Sequence, residues 1–185
     1  VIYEKMPYYA YSSLKKEQKK MIRERGWTKG SQKVNRFLFR LVNRVQPDTI
    51  IEVGRPSSTT LYLQSAKPSA SYLFASDLSE LFLDADTSVD FLYLNDYRNP
   101  DLLEEVFRVC AHRATPKSVF VVHGICYSKE MKALSSLQSI DGVYSVFGNH
   151  DLGFYMKPQS DDTFTPAASV VQLIQQQQQM GWQLL

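Results

Sequence analysis

The fold is decided by residues 47–54, PDTIIEVG. Pro47 ends the helix before it, because a residue that precedes proline is pushed out of the helical region. Thr49–Val53 (TIIEV) then forms a short run rich in β-branched residues that predicts a strand, and Gly54 closes it. The preceding helix is predicted from apolar residues at helical spacing, namely Val34, Phe37, Leu38, Leu41, Val42 and Val45.

Downstream of this strand, helices and strands alternate along the chain. Strands are predicted over residues 71–76, 89–94 and 117–122, and helices over residues 57–66, 100–114 and 128–139. Residues 143–147 and 152–156 resemble two strands joined by a turn-rich connection. Apolar strands that alternate with helices indicate a parallel sheet covered on both faces. The predicted fold class is therefore α/β, with a doubly wound, mostly parallel sheet and a C-terminal antiparallel hairpin.

Length and composition exclude several classes of protein. The 185 residues, 44% of them hydrophobic, fit one globular domain and exclude wholesale disorder, and no apolar run is long enough to span a membrane. Two cysteines are too few for a disulfide scaffold, which favours a reduced, cytoplasmic setting. Because no apolar run is long enough to span a bilayer, no membrane partner is expected. We expect a basic N-terminal helical segment (1–33), an α/β domain (34–158), and a linker with a Gln-rich helix (159–185).

The near-neutral net charge of +2 hides an asymmetry between the N-terminal part and the rest. Residues 1–44 carry 12 Lys and Arg against 3 Asp and Glu, whereas the remaining residues carry 9 against 16. Such a basic segment is most often a solvated helical face, but it can also bind nucleic acid or another anionic partner, or complement the acidic remainder of the chain. No recognised nucleic-acid-binding motif supports nucleic acid as the partner, so this hypothesis ranks last.

The end of the first strand is the candidate ligand site. In a doubly wound sheet, ligands bind beyond the carboxyl ends of the strands, where the strand order reverses. Glu52 and Gly54 lie there, and the helix that begins near Ser57 would offer free backbone N–H donors. Asp77 follows the next strand, where an acidic side chain commonly binds ribose hydroxyls. The alternative is structural: glycine is common in tight turns, and Asp77 would then cap a turn.

Four stretches carry a family resemblance that covers roughly residues 35–158. They are FLFRLVNRVQPDTIIEVGRPSSTTLYLQ (37–64), VDFLYLND (89–96), YSKEM (127–131) and LGFYMK (152–157). In order and spacing, the chain resembles the bacterial O-methyltransferase-like group of class I S-adenosylmethionine-dependent methyltransferases. The resemblance implies a Rossmann-like methyltransferase fold with the cofactor held by Glu52, Gly54, Ser57 and Asp77, and with Asp96 or His123 near the acceptor.

The chain also departs from that family at four places. The loop after Gly54 lacks a second glycine and contains Pro56, which removes a backbone donor. Only 11 residues separate Asp77 from Val89, so that one β/α unit is missing. Asn95 stands where the resemblance requires an aspartate, and His123-Gly124 replaces the usual acidic residues after the fourth strand.

These departures also bear on metal binding and proton transfer. Asp96 beside Asn95 offers too few oxygen ligands for a divalent cation, so no metal is expected. His123 is either a general base or, with more weight, a structural histidine held by a hydrogen bond.

Two functions therefore stay open. The favoured hypothesis is a degenerate, non-catalytic methyltransferase-like protein with an interaction or scaffold role, for which S-adenosylmethionine binding is doubtful. The alternative is an active S-adenosylmethionine-dependent O-methyltransferase on a small-molecule acceptor, which transfers the methyl group mainly through proximity and orientation. The partner is accordingly an unidentified protein or a small acceptor, and assembly of identical copies is left open.

Overall fold

The computed structural model describes residues 7–81, 86–95, 100–123, 144–145, 166–179, 181 and 183–184. The chain divides into two compact units, Val1–Ile125 and Cys126–Leu185. The predicted segment boundaries near residues 33 and 158 stay a prediction. Each unit is considered by itself.

The first unit is built on a four-stranded parallel sheet. Its helices are α1 (Pro7–Arg25), α2 (Gln32–Val45), α3 (Thr59–Ala66) and α4 (Pro100–Ala111), and its strands are β1 (Thr49–Gly54), β2 (Ser71–Ala75), β3 (Val89–Asn95) and β4 (Ala114–His123). The strand order is β2-β1-β3-β4, with every neighbouring pair parallel. The chain thus moves outward from β1 to β2 and then returns to the other side of β1. The predicted α/β class with a parallel sheet is confirmed.

Helices cover both faces of this sheet. One face, which includes Ile50, Phe91 and Tyr93, packs in one buried cluster with α2 and α3, and Leu14 of α1 joins it. On the opposite face, the ring of Phe107 in α4 meets Phe120 of β4 edge-on, with 5.5 Å between ring centroids. Because successive strand residues point to opposite faces, the near-continuous apolar strands are explained by this double cover.

Some predicted boundaries are wrong. Helix α4 ends at Ala111, not at residue 114, and β4 begins at Ala114. The reason is pairing with β3: the backbone N–H of Val89 donates to Arg113 O at 2.9 Å, and Ser118 Oγ donates to Val89 O at 2.6 Å. Arg113, Ala114 and Ser118 are therefore held beside Val89 at the start of β3.

The predicted apolar stripe of α2 also needs one correction. Leu38 and Val42 are fully buried, but Phe37 is 48% exposed. At 100° per residue, Phe37 lies at the margin of the stripe, about 100° from Leu38, so the helix can bury the others without it.

In the second unit, the structure describes helix α5 (Pro166–Gln179) and two short strands, β5 (Tyr144–Ser145) and β6 (Gln183–Leu184). Strands β5 and β6 pair in parallel, and β6 was not predicted from the sequence. The predicted strand 152–156 and the predicted helix 128–139 lie outside the described residues, so the antiparallel hairpin stays a prediction. Over the described part of the chain, no helix is both long and apolar enough to cross a membrane.

Candidate functional site

The carboxyl ends of β1 and β3 meet where the strand order reverses, which is where ligands bind in sheets of this kind. Gly54 and Asn95 are partners across these two strands. Gly54 has a φ of 131°, and a Cβ atom there would lie 2.4 Å from Asn95 O. The glycine is therefore required by the close approach of two strands of the protein itself.

The side chain of Asn95 holds the loop that follows β1. Its Nδ2 atom donates to Arg55 O at 2.9 Å and to Ser57 Oγ at 3.1 Å, and the residue is buried. Ser57 Oγ also accepts from the backbone N–H of Thr59 at 3.2 Å. Ser57 thus satisfies one donor of the first turn of α3 instead of leaving it for a ligand. We refer to Gly54, Arg55, Ser57, Ser58 and Asn95 as the β1 crevice.

The N-terminal segment completes the closure of the β1 crevice. The backbone N–H of Ser58 donates to Thr28 O at 2.9 Å, and the N–H of Thr28 donates to Pro56 O at 3.3 Å. Ser58 Oγ accepts from Gln18 Nε2 at 2.8 Å and from the Gly30 N–H at 2.9 Å. The expectation of free N–H donors where α3 begins is therefore wrong for Ser58 and Thr59, whose donors bind other groups of the chain.

Glu52 lies beneath the crevice in the core. It is fully buried, and its Oε2 atom accepts hydrogen bonds from Thr60 Oγ1 at 2.8 Å and from the hydroxyl of Tyr72. Burial raises the pKa of Glu52 to about 7, against the lowering effect of the hydrogen bonds from Tyr72 and Thr60. Burial, followed by the charge of Glu52, also raises the pKa of Tyr72, which keeps this phenol a donor. Among the described residues, Oε1 of Glu52 has no hydrogen-bond partner.

Asp77 lies just beyond β2, at the same edge of the sheet. Its Oδ1 atom accepts from the backbone N–H of Ser79 at 2.8 Å, from Ser79 Oγ at 2.5 Å and from the Glu80 N–H at 3.3 Å. Chiefly the hydrogen bond from the Ser79 hydroxyl holds the pKa of Asp77 below its ordinary value. This carboxylate caps a short 3-10 turn (Leu78–Glu80), the structural alternative considered above.

A histidine and a tyrosine meet at the end of β4. His123 Nδ1 lies 3.2 Å from the hydroxyl of Tyr93, and the two rings are stacked with an angle of 18° between their planes. The same hydroxyl lies 3.4 Å from Asn95 Oδ1, so that His123, Tyr93 and Asn95 follow one another across the sheet edge. Asp96, the other candidate near the acceptor, lies outside the described residues.

Sequence analysis missed Tyr93, Tyr72 and Thr60 as partners of the candidate residues. Strand register could have indicated Tyr93, because Glu52 pairs with it and Gly54 pairs with Asn95, two residues further along both strands. Residues two apart on a strand share one face, so Tyr93 and Asn95 lie on the face of Glu52. Tyr72 could have been indicated in the same way, because it pairs with Ile50, two residues before Glu52 on β1, and therefore lies on the same face. Thr60 lies on α3 and could not be assigned without knowing how this helix packs on the sheet.

The described residues also include one cysteine, Cys110, and several side chains of the types that bind metal ions. Burial raises the pKa of the Cys110 thiol to about 12, which makes it a packing residue in α4 and a poor nucleophile; Cys126 lies outside the described residues. Within the ranges that the structure describes, no group of three or more His, Cys, Asp and Glu is arranged to hold a metal ion.

No protein-family model, curated protein or solved structure matches this chain. What bears on its function is therefore the arrangement of its own residues. At the switch point, the polar groups of the chain hydrogen-bond to one another.

Proposed function

We propose that this chain is a methyltransferase-like α/β protein that does not bind S-adenosylmethionine and that acts as an interaction or scaffold module. One observation carries this proposal: the groups at the switch point that would have to bind the cofactor are satisfied by Asn95 and by the N-terminal segment. A fold does not by itself imply an activity. A protein whose binding groups are all engaged by its own chain can therefore use that fold in another role.

The residues present do not fit the cofactor. The donors of Ser58 and Thr59 at the start of α3 are already used, and Gly54 packs against backbone, where a cofactor would need its space. Asp77 would have to release the turn that it caps before it could bind a ribose. Glu52 is enclosed in the core with Tyr72 and Thr60.

The alternative, an active S-adenosylmethionine-dependent O-methyltransferase on a small acceptor, has one observation in its favour. His123 lies half-buried at the strand end beside Asn95 and touches the hydroxyl of Tyr93. A histidine in such a position could accept the proton of an acceptor hydroxyl. For this alternative to hold, the Thr28–Ser58 hydrogen bond would have to open so that the cofactor could enter.

Calorimetric titration and thermal unfolding of the purified chain, each with S-adenosylmethionine and with its demethylated product, test the proposal. We expect no saturable heat and an unchanged Tm, whereas a ligand present at about 100 times its Kd would add about 2.7 kcal/mol of stability. Saturable binding of either compound by the natural sequence would overturn the proposal and revive the alternative.

Ser58→Ala is the informative companion variant, because it removes the acceptor for Gln18 and Gly30. Binding by this variant, with none by the natural sequence, would identify the N-terminal segment as the group that closes the crevice. Absence of binding in both would show that the Ser58 hydroxyl alone does not exclude the cofactor, in agreement with the backbone hydrogen bonds of Thr28 to Ser58 and Pro56 that the variant keeps.

A further inference from the structure

The exposed side of α2 carries cations and one aromatic ring. At 3.6 residues per turn, its exposed residues lie within an arc of about 100°. They are Lys33, Arg36, Phe37, Arg40 and Arg44, which we refer to as the α2 stripe. The buried residues of the helix lie on the other side, namely Asn35, Leu38, Phe39 and Val42.

The positive charge of the α2 stripe is not neutralised within its own helix. Helix α2 contains no Asp or Glu, and in the described part of the chain no carboxylate forms an ion pair with Lys33, Arg40 or Arg44. Like charges spaced four residues apart on a helix repel each other. The helix therefore maintains a local repulsion that binding to an anion would relieve.

Helix α4 shows what an ordinary solvated face of this protein looks like. Its exposed side mixes signs, with Glu104 and Glu105 beside Arg108, and Arg108 approaches Glu105 Oε1 to 3.7 Å. Mixed charge is the arrangement expected of a surface whose only partner is water. The α2 stripe differs in that every charge has one sign.

Phe37 distinguishes the kind of anion. It is one of two large hydrophobic residues exposed on the described surface, and it lies between Lys33 and Arg40 on the helix. Proteins that bind single strands combine a basic surface with aromatic rings on which bases stack. An exposed ring among cations offers the same pair of contacts.

Helix α1 extends the positive field. Residues 12–46 carry eleven Lys and Arg against two Glu, and all eleven cations are exposed. Six of these cations lie on α1, namely Lys15, Lys16, Lys19, Lys20, Arg23 and Arg25. Both helices contribute to the core cluster on one face of the sheet, so both basic surfaces belong to the same unit.

We propose that the α2 stripe binds single-stranded nucleic acid, with its cations on the phosphates and a base stacked on Phe37. This inference goes beyond the proposed function and does not depend on it, because the stripe and the β1 crevice share no residue. It also assigns a partner class to the basic segment. The sequence alone could not do so, because it placed Phe37 among the buried residues of the helix and not among the exposed cations.

Fluorescence anisotropy of the full chain with a labelled oligouridylate and a labelled oligothymidylate of about 20 nucleotides tests the proposal. Binding should weaken steeply between about 50 and 200 mM salt. Phe37→Ala should weaken binding about 5- to 150-fold, and Phe37→Tyr should restore it, since a stacked base is worth that much affinity. A difference between the two probes shows whether RNA or DNA is preferred.

A pair of double variants separates the stripe from general charge. Arg40→Gln with Arg44→Gln and, as the control, Arg108→Gln with Lys117→Gln each remove two exposed cations. Only the first should reduce the slope of log K against log salt, by about 1.4 for two lost phosphate contacts. Circular dichroism confirms that the surface variants stay folded.

Several results would overturn the proposal. These are no binding at low salt, an equal loss in both double variants, or unchanged affinity in Phe37→Ala. Binding to phosphatidylserine vesicles without binding to either oligonucleotide would assign the stripe to an anionic membrane surface instead.

Discussion

The β1 crevice and the α2 stripe use their polar groups in opposite ways, although both belong to the first unit. In the crevice, Asn95, Ser57 and Ser58 bind one another or the N-terminal segment. In the stripe, Arg40 and Arg44 face solvent. Polar groups that satisfy each other support a fold, whereas charges of one sign that are exposed along one helix face are suited to recognition. The position of a site in a familiar fold is therefore a weaker guide than the state of its hydrogen bonds.

Gly54→Ala should have the largest effect on stability. It tests whether the crevice is closed by strand packing. The substitution forces a side chain into a backbone conformation with φ of 131° and brings its Cβ to 2.4 Å from Asn95 O. We expect a loss of about 4 kcal/mol in the free energy of unfolding, from backbone strain and overpacking together. Urea unfolding measures it.

Gly26→Ala is the matched control for this substitution. Gly26 also has a positive φ, of 64°, but a Cβ there meets nothing within 4 Å. Strain alone should cost about 1 kcal/mol. Equal losses in the two variants would mean that Gly54 is not held against β3, and the contrast with the stripe would then weaken.

Most of the fold could be predicted from the sequence because its signals are local: apolar runs mark the strands, Pro47 marks the end of a helix and Gly54 marks the end of a strand. The parallel sheet follows from strands buried on both faces, as with Ile50 and Ile51. The closure of the crevice could not be predicted, because it depends on the pairing of Thr28 with Ser57 across 28 intervening positions and on hydrogen bonds that leave no periodic signal. Nor could the sequence decide between a ribose contact and a turn cap for Asp77, since both use the same carboxylate.

The second prediction concerns the pH dependence that Glu52 gives to stability. Its pKa is about 7 in the folded state against an ordinary value of 4.5, so the folded protein retains a proton that the unfolded chain releases. Stability from this group is therefore fully present below about pH 4.5 and is lost as the pH rises to 7, by about 3 kcal/mol. Urea unfolding at a series of pH values between 4.5 and 8 measures this change.

Glu52→Gln isolates that contribution, since glutamine keeps an oxygen acceptor for Thr60 and Tyr72 but does not titrate. The variant should have a flatter pH profile over the same range. The pKa values of Asp48 and Asp77 are held low, mainly by hydrogen bonds from Lys67 and Ser79 respectively. The stability that these two carboxylates contribute to the protein is therefore lost only at more acidic pH. A profile that stays unchanged in Glu52→Gln would show that Glu52 is hydrated, and the crevice would then be open to solvent.

The smallest effect is expected for Ser58→Ala, which removes the two hydrogen bonds that the Ser58 hydroxyl accepts from the N-terminal segment without touching the sheet. Ser58 is fully buried, and its hydroxyl accepts two hydrogen bonds that join α1 and Gly30 to the start of α3. The Gly30 N–H is only partly buried and can bind water instead, so the main cost is that of leaving the buried Gln18 donor without an acceptor, about 1–2 kcal/mol. Ser65→Ala, at an exposed position of the same helix, should stay within about 0.5 kcal/mol of the natural sequence. Hydrogen exchange adds a local measurement: if the Gly30 amide exchanges no faster in Ser58→Ala, the segment is held by its core contacts and by the backbone hydrogen bonds of Thr28, and not by the Ser58 hydroxyl.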